Sequence, residues 1–380
     1  MVRKRNVSSH DEIVFGAIEL SKAKWLLAVQ MSDLEQPSIY QLTGGDVDAL
    51  IERLEAVEAQ HRKRTGRTLR IVVCYEAGYD GFWLWRVLQA RGITCHVIDA
   101  ASIEINRRRR RPKTDRIDAA KLVRVLRTWY RGEREVCSMV RVPTCEEEDL
   151  RRSHRERCRL VSEQTAHVNR IKGLLFAYGI RNLGCRCDRL VLDGLMTGDG
   201  RPLPERLKAE ITREMVRLKQ VQAQIAEVEK ERDTVEASSA ESEPKRHRLL
   251  ELRGIGPALA SILTREVYYR AFENRRQVAS YIGVTPSPYS SGQTERNSGI
   301  SKAGNRLARY IMIEAAWLWL RHQPQSALSR WYALRTEGHT GRVRRIMLVG
   351  LARKLAVALW RYVETGLVPH GAITKAVTAK

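Results

Sequence analysis

Two aspartates spaced by three residues, Asp115 and Asp118, are well suited to chemistry in this sequence. On a helix this spacing places both carboxylates on one face. They follow a basic run that contains Arg107, Arg108, Arg109, Arg110, Arg111 and Lys113. A fixed anionic pair beside so much positive charge could hold a divalent ion at a phosphate backbone. The alternative is an ordinary helix start, in which Thr114 caps the helix and both acids favour its dipole.

Two further acids lie at the ends of apolar segments that we predict to be strands. Glu19 is near the end of a strand predicted at 13–20, and Glu76 follows a strand predicted at 69–75. Carboxylates at strand ends, where a twisted sheet opens, can form a metal site on an α/β scaffold. Because the donors are all oxygens, with no His or Cys nearby, they favour Mg²⁺ or Mn²⁺ over zinc.

These acids and their surroundings resemble the DEDD transposases of the insertion-sequence-110/1111 family. The resemblance rests on the segments 75–78 (Tyr-Glu-Ala-Gly) and 113–119 (Lys-Thr-Asp-Arg-Ile-Asp-Ala). It implies an N-terminal domain of RuvC-like, ribonuclease-H-type fold, whose four metal-binding acids match Glu19, Glu76, Asp115 and Asp118. The chain departs from the family at Glu19, because the first acid of the family is usually Asp, one methylene shorter.

A second motif lies in the C-terminal part, at 289–292 (Tyr-Ser-Ser-Gly) and 300–305 (Ile-Ser-Lys-Ala-Gly-Asn). By its Pro, Ser and Gly content, the segment 281–292 is predicted to be a loop. The resemblance implies that Ser291 is the nucleophile of recombination, with Ser290 as the competing candidate. Arg296 and Lys302 could neutralise phosphate charge or act as backbone clamps. Two more residues, Asn305 and Arg306, are candidates for contact with nucleic acid.

A glycine-containing turn precedes this motif at 252–257 (Leu-Arg-Gly-Ile-Gly-Pro). Gly254 and Gly256 could present backbone N–H groups to a DNA phosphate, as a helix-hairpin-helix does. The same spacing also fits a tight turn between two helices. It does not match a dinucleotide-binding fingerprint, because no strand precedes it and the third glycine is absent.

The composition agrees with a protein that binds nucleic acid. The 380 residues include 67 Lys and Arg against 44 Asp and Glu, which gives a formal charge of +23. Such an excess attracts polyanions through phosphate contacts and counterion release. A ribosomal or architectural protein would carry a similar charge. The length, with 43% hydrophobic residues, is instead sufficient to bury two cores.

The cysteines and the apolar segments indicate a cytoplasmic protein, and the resemblance implies a bacterial or archaeal protein associated with the nucleoid. The seven cysteines are irregularly spaced and lack zinc-ligand spacing, so we predict reduced thiols. The apolar run at 13–20 is too short for a signal peptide, and no segment approaches the roughly 20 apolar residues of a membrane span.

The predicted fold class is α/β followed by α, in three regions. Residues 1–135 form the RuvC-like domain, with strands near 13–20, 25–30, 69–75 and 94–98 and helices near 46–60, 81–91 and 115–130. Residues 145–244 form a helical segment and linker, in which a heptad run (Ile211, Leu218, Ile225, with Val221 and Val228) favours an antiparallel hairpin or, alternatively, a dimer zipper. Residues 245–370 form a mainly helical transposase domain, in which Leu348, Leu351, Leu355 and Leu359 are predicted to be core residues.

Two functions are consistent with these features. The resemblance implies a DNA transposase of a mobile element, which acts through a phosphoserine bond with help from the metal site. It further implies donor and target DNA, a guide RNA encoded by the element, and homodimers that pair into tetramers. The alternative is a metal-dependent junction nuclease whose C-terminal half only binds DNA. A non-enzymatic scaffold left by a decayed element would show neither activity.

Overall fold

The computed structural model describes residues 12–31, 36–103, 115–181, 187–238, 243–291 and 294–375. The basic run at 107–113, and with it the predicted contacts of those arginines and of Lys113, lies outside the described residues. The chain divides into two compact units, Met1–Thr144 and Cys145–Lys380. The division into three regions remains a prediction.

The first unit is a mixed α/β fold around a five-stranded sheet. Its strands follow in the spatial order β3-β2-β1-β4-β5, with β1 antiparallel to β2 and parallel to β4, and β4 parallel to β5. The strands are β1 (Glu12–Leu20), β2 (Lys24–Gln30), β3 (Ser38–Thr43), β4 (Leu69–Glu76) and β5 (Thr94–Ile98). The helices are α1 (Val47–Thr65), α2 (Trp83–Ala90) and α3 (Asp115–Tyr130). Four of these strands and all three helices were predicted, whereas β3 was missed.

The sheet buries apolar side chains on both faces, because successive strand residues point to opposite sides. Val14 and Ile18 of β1 belong to a core shared with residues of α1 and α2. Phe15 and Ala17 of the same strand belong to a second core, which includes residues of α3. Burial on both faces explains why β1, β2 and β4 are nearly continuous apolar runs.

The second unit begins with two long helices that pair within the chain. The short helix α4 (Cys145–Asp149) precedes α5 (Arg152–Phe176), and α6 (Glu205–Ser238) follows. His167 lies 2.7 Å from Glu214, and Arg170 lies 2.7 Å from Glu210. Because residue numbers rise along α5 as they fall along α6, the pair is antiparallel, which confirms the predicted hairpin. The small, polar and acidic composition of 234–244 predicts a linker or a hairpin tip, but α6 runs to Ser238, so that prediction was wrong for its first residues.

The rest of the second unit is mainly helical around its own core. Leu348, Leu351, Leu355 and Leu359 are buried there, as predicted. The helices are α7 (Pro244–Glu251), α8 (Pro257–Leu263), α9 (Arg275–Ile282), α10 (Arg306–His322), α11 (Ala327–Thr336) and α12 (Arg342–Thr365). A π-helical turn at Thr264–Tyr268 follows α8.

A two-stranded antiparallel hairpin interrupts these helices, formed by β6 (Pro286–Ser291) and β7 (Thr294–Ile300). The prediction of a loop over 281–292 was therefore wrong for most of that segment. Proline is tolerated in strands at edges and bulges, and the pairing shows a register shift between Pro286 and Pro288. Cross-strand pairing thus overrode the loop-like composition.

Two further predictions concern the cysteines and membrane insertion. The cysteines of the described residues are free, so none of them forms a disulfide. None of the helices in the described ranges is both long enough and apolar enough to cross a bilayer.

Candidate acidic edge and serine hairpin

Two of the four predicted acids lie at the ends of neighbouring parallel strands, Glu19 as the next-to-last residue of β1 and Glu76 as the last residue of β4. The pairing of β1 with β4 extends to Ile18 opposite Tyr75, so Glu19 and Glu76 occupy the next positions of the two strands. Ala17 and Cys74 belong to the core that includes α3 residues, and Glu19 and Glu76 follow them by two residues. By strand alternation both carboxylates lie on the α3 side of the sheet, where both residues are half-buried.

The other two acids lie in the first turn of α3. Asp115 is the first residue of the helix and is exposed, whereas Asp118 is half-buried. The Asp115 carboxylate lies 3.2 Å from the ammonium of Lys24. Lys24 is the first residue of β2. The next residue, Trp25, pairs with Leu20, the last residue of β1. The start of α3 therefore lies at the same edge of the sheet as the end of β1.

A cavity of about 330 Å³ opens at this edge, which we call the acidic edge (Glu19, Glu76, Asp115 and Asp118). Its lining includes Lys24, Gln41 and Asp115. Among the residues that the structure describes, no three acidic, His or Cys side chains come close enough to hold one metal ion. The donor chemistry of the four acids fits a hard divalent ion. Their described positions do not close into a ligand cluster, and Asp115 instead contacts Lys24.

The predicted nucleophile lies at the tip of the β6–β7 hairpin. Ser291 is the last residue of β6 and pairs with Thr294, the first residue of β7. Ser290 pairs with Glu295, and Tyr289 pairs with Arg296. The structure describes only the backbone of these positions, so the side chains of Ser291 and Arg296 lie outside the described part.

The base of this hairpin is closed by backbone contacts with the end of α9. The Lys302 N–H donates to the Gly283 carbonyl at 3.2 Å, and the Asn305 N–H donates to the Tyr281 carbonyl at 2.8 Å. We call this region the hairpin neck (residues 281–285 and 300–305). The neck contains residues 300–305 of the second sequence motif. Its backbone contacts therefore explain this part of the motif in structural terms.

Two glycines of the neck cannot carry a side chain. Gly283 has φ +73°, and a Cβ there would lie 2.0 Å from the Ala303 carbonyl oxygen. Gly304 has φ +98°, and a Cβ there would lie 2.3 Å from the Tyr281 carbonyl oxygen. Both positions combine a left-handed backbone with close approach of another backbone segment, which only glycine permits.

A buried carboxylate beside the neck was missed in the sequence. Glu266 is 1% exposed and accepts two hydrogen bonds from Arg155, at 2.6 and 3.0 Å. Its Oε1 lies 2.7 Å from His154 Nε2, and its Oε2 accepts from Asn305 Nδ2 at 3.1 Å. The Tyr281 hydroxyl donates to the Glu266 backbone carbonyl at 2.9 Å. We call these five residues the Glu266 network.

The network stabilises the charged form of Glu266. Burial alone would raise the pKa of this carboxyl, but hydrogen bonds from His154 and Arg155 outweigh burial and lower the pKa to about 2. The hydrogen bond to Glu266 in turn raises the pKa of Arg155. Burial raises the pKa of Tyr281, which keeps its hydroxyl protonated as a donor. A charged residue within an apolar helical segment was the available sequence signal.

Asn305 and its neighbours occupy different environments. The Asn305 Oδ1 accepts from the Ala308 N–H at 3.0 Å and so caps α10, while its amide joins the Glu266 network. Lys302 and Arg306 are exposed, and Lys302 has a positive φ of 56°. Lys302 and Arg306 thus have the exposure that a phosphate contact needs.

The glycine turn before the motif joins α7 to α8. Gly254 has φ +88°, and a Cβ there would lie 2.8 Å from the Cβ of His322. Gly256 is the N-cap of α8, with Pro257 in the first turn. The tight packing on His322 accounts for Gly254 in structural terms, and a contact of this turn with DNA remains a prediction.

Comparison with known proteins gives matches in both units. A transposase family model of the DEDD IS110 type matches residues 42–180. A second model, described as the transposase IS116/IS110/IS902 family, matches residues 246–331. The first match contains Glu76, Asp115 and Asp118 but not Glu19, and the second contains Ser291.

Curated relatives extend the similarity over nearly the whole chain. A protein of Sinorhizobium fredii named as transposase y4rJ is 48% identical, over 95% of this chain and 94% of its own length. A transposase for insertion sequence element IS1111A of Coxiella burnetii is 26% identical, over 75% of this chain and 76% of its own. A family 20 transposase of Pseudomonas aeruginosa is 31% identical, over 58% of this chain and 65% of its own.

Proposed function

The chain belongs to the IS110/IS1111 family of DNA transposases, and from this membership we propose that it cuts and rejoins DNA through a covalent bond to Ser291. The observation that carries the proposal is the β6–β7 hairpin, whose β6 strand ends at Ser291. Its neck is fixed by glycines that tolerate no side chain. A nucleophile at the tip of a fixed hairpin can reach a phosphodiester in a bound duplex.

The reaction is a reversible exchange of phosphate esters. The Ser291 Oγ forms a bond to phosphorus as the bond from phosphorus to one deoxyribose oxygen breaks. The serine proton passes to a base, and the leaving oxygen takes up a proton as a hydroxyl. A hydroxyl of another DNA end then attacks the phosphoserine and releases Ser291. Bond energy is conserved throughout, so rejoining needs no nucleotide cofactor.

We assign the acidic edge to metal binding. Glu19, Glu76, Asp115 and Asp118 supply the oxygen donors that Mg²⁺ or Mn²⁺ prefers, and the positions of Glu19 and Glu76 at adjacent strand ends support this assignment. A divalent ion bound there would neutralise charge on a DNA phosphate. Binding requires Asp115 to exchange Lys24 for the ion. Glu19 supplies the same carboxylate ligand as the Asp that is usual in the family, on a side chain that is one methylene longer.

Nucleic-acid contacts and assembly complete the proposal. We assign phosphate contacts to the basic run at 107–113 and to Arg296, Lys302 and Arg306, which suits the charge of +23. The turn at Gly254 and Gly256 is a further candidate. We propose that RNA encoded by the element guides the choice of donor and target DNA, and that the chain acts as a homodimer that pairs into a tetramer. We also propose that the first unit has the RuvC-like, ribonuclease-H-type fold that the resemblance implies.

A covalent-trapping assay tests the central step. Full-length protein is incubated with Mg²⁺, the junction DNA of the element and its adjacent transcribed RNA, and the products are separated on a denaturing gel. We expect a protein–DNA adduct that Ser291→Ala abolishes and the matched Ser290→Ala retains. An adduct that needs Ser290 instead would contradict the choice of nucleophile.

The same assay separates the transposase from a nuclease. Free cleavage products that persist in Ser291→Ala but vanish in Asp115→Ala would make the chain a metal-dependent nuclease and would contradict the serine step. A reaction without the RNA tests whether the RNA guides the protein. If it does, the adduct on the junction DNA should disappear when the RNA is omitted.

A further inference from the structure

A groove of about 740 Å³ lies between α9 and α12 in the second unit. Arg275 and Arg276 line it from α9, while Arg353, Lys354 and Arg361 line it from α12. No acidic residue of the described chain is among its lining residues. We call it the basic groove. Five cations that converge on one concavity repel one another, so an anion in the groove would relieve a real electrostatic cost.

The cations of the groove are available to a ligand. Within the described residues, none of the four arginines forms an ion pair or a side-chain hydrogen bond, and the Lys354 ammonium only lies over the Trp331 ring, at 4.9 Å. Neighbouring acids are engaged elsewhere. Glu364 binds Lys245 at 2.6 Å, and Glu273 accepts from Gln277 at 3.0 Å. The positive charge therefore has no internal counterion in the described structure.

The spacing of the cations suits a chain of phosphates. Arg353 and Arg361 are eight residues apart on α12, which places them about 12 Å apart along one helix face. Val357 and Ala358 lie between them on the same face, and Ala279 lines the opposite wall. A small apolar floor between widely spaced guanidinium groups fits a sugar-phosphate backbone better than a compact anion.

The groove continues into the hairpin neck. Thr285 lines the groove and immediately precedes β6, and its carbonyl accepts from the Ser301 N–H at 2.9 Å. The Thr285 hydroxyl has no hydrogen-bond partner in the described structure. A backbone held in the groove would thus pass beside the base of the hairpin that ends in Ser291. This position favours DNA, the substrate of that serine, over RNA.

We propose that the basic groove binds the phosphate backbone of duplex DNA and delivers it to the serine hairpin. The choice of DNA rests on the function proposed above for Ser291. The groove is a DNA-binding surface in addition to the residues assigned above. It is formed by α9 and α12, whose other faces pack in the core of the second unit.

Binding of a short fluorescein-labelled DNA duplex to the full-length protein, followed by anisotropy at several salt concentrations, tests this assignment. We expect R353Q/R361Q to weaken binding at least about tenfold and to reduce the slope of log affinity against log salt by about 2. R275Q/R276Q changes the opposite wall and should give a similar loss. The matched control R321Q/R335Q removes two exposed arginines outside the groove and should weaken binding less than about threefold.

Three outcomes decide the matter. An equal loss in groove and control pairs would mean that only overall charge matters and would overturn the proposal. A loss of binding to an RNA duplex with unchanged binding to DNA would overturn it as well. Retained affinity in both groove pairs would do the same. Ser291→Ala should bind the duplex like wild type, so failure of the serine step in the trapping assay leaves this binding result interpretable.

Discussion

Acidic residues occupy opposite environments in the two units of this transposase. At the acidic edge, Asp115 is exposed and its contact with Lys24 involves side chains that are about half exposed, at 52% and 47%. In the Glu266 network, the carboxylate is 1% exposed and bound by two basic residues and an amide. An exposed acid can exchange its partner for an ion, whereas a buried and saturated acid holds structure.

The largest expected effect is the loss of activity when an acid of the edge is neutralised. Asp118→Asn should reduce strand exchange about a thousandfold. The variant loses one negative charge of the acidic edge, and with it an electrostatic contribution to the reaction. The same change should alter the free energy of unfolding by less than about 1 kcal/mol. Adduct yield and urea unfolding of the purified variant measure the two quantities.

The matched control for that variant is Glu133→Gln, an exposed acid just beyond the other end of α3. It should keep both activity and stability. If Asp118→Asn retained full activity, the catalytic role of the edge would be refuted. If the variant unfolded, the prediction that the change affects activity and not stability would be refuted.

Neutralising the buried acid should instead damage the fold. Glu266→Gln leaves Arg155 and His154 without their anion, and we expect the free energy of unfolding to fall by roughly 3 kcal/mol. Glu314→Gln, an exposed acid on α10, is the matched control and should change it by less than about 0.5 kcal/mol. A stable Glu266→Gln variant would remove the contrast between the two units.

The stabilisation that Glu266 contributes, measured as the difference in unfolding free energy between wild type and Glu266→Gln, should depend on pH. The folded pKa of Glu266, about 2, lies below its ordinary value of 4.5. The stabilisation is therefore complete above about pH 4.5 and is lost as the pH falls towards 2. The difference in unfolding free energy between wild type and Glu266→Gln should narrow across that window. A difference that is constant down to pH 2 would argue against a charged Glu266.

A smaller effect is expected at Asn305, which belongs to both the cap of α10 and the Glu266 network. Asn305→Ala removes the cap and the two hydrogen bonds that the Asn305 amide donates, one to Glu266 and one to the Tyr281 hydroxyl at 3.1 Å. The free energy of unfolding should therefore fall by about 2 kcal/mol. Asn274 caps α9 through Arg276 and Gln277 without a buried network. Asn274→Ala should cost about 1 kcal/mol. Equal costs would show that the network adds nothing at Asn305.

The smallest effect on stability is expected at Lys24. Lys24→Gln removes only a solvent-exposed ion pair with Asp115, so the free energy of unfolding should change by less than about 1 kcal/mol. If Lys24 and a divalent ion compete for Asp115, the variant should reach half-maximal activity at a lower Mg²⁺ concentration. Lys121→Gln, which changes an exposed lysine of α3, the helix of Asp115, is the control. An unchanged Mg²⁺ requirement would dismiss the competition.

The sequence predicted those parts of the fold that follow a local pattern. Helix α3 was predicted at its observed bounds, because its apolar residues recur at helical spacing and Asp115 opens it. The half-buried strand β3 was missed, since its pattern is short and follows a polar stretch. The segment that forms β6 was predicted as a loop, because its pairing depends on a partner strand and a closed neck that composition does not reveal.

The candidate site divides in the same way. The strand-end positions of Glu19 and Glu76 were predicted because strand ends are visible in an apolar pattern, and the register of β1 with β4 places the two residues side by side. Glu266 was not found, because its partners His154 and Arg155 are more than 100 residues away in the chain. Long-range hydrogen bonds of this kind leave no spacing signal in a single sequence.

Mapping the attachment point of the trapped DNA tests the account most directly. The adduct is digested with nuclease and trypsin, and the peptide that spans 277–296 is sequenced by tandem mass spectrometry. We predict a nucleotide-derived phosphate on Ser291 in the wild type and an unmodified peptide in Ser291→Ala. A phosphate on Ser290 or Tyr289, or an active enzyme whose peptide is never modified, would contradict the account.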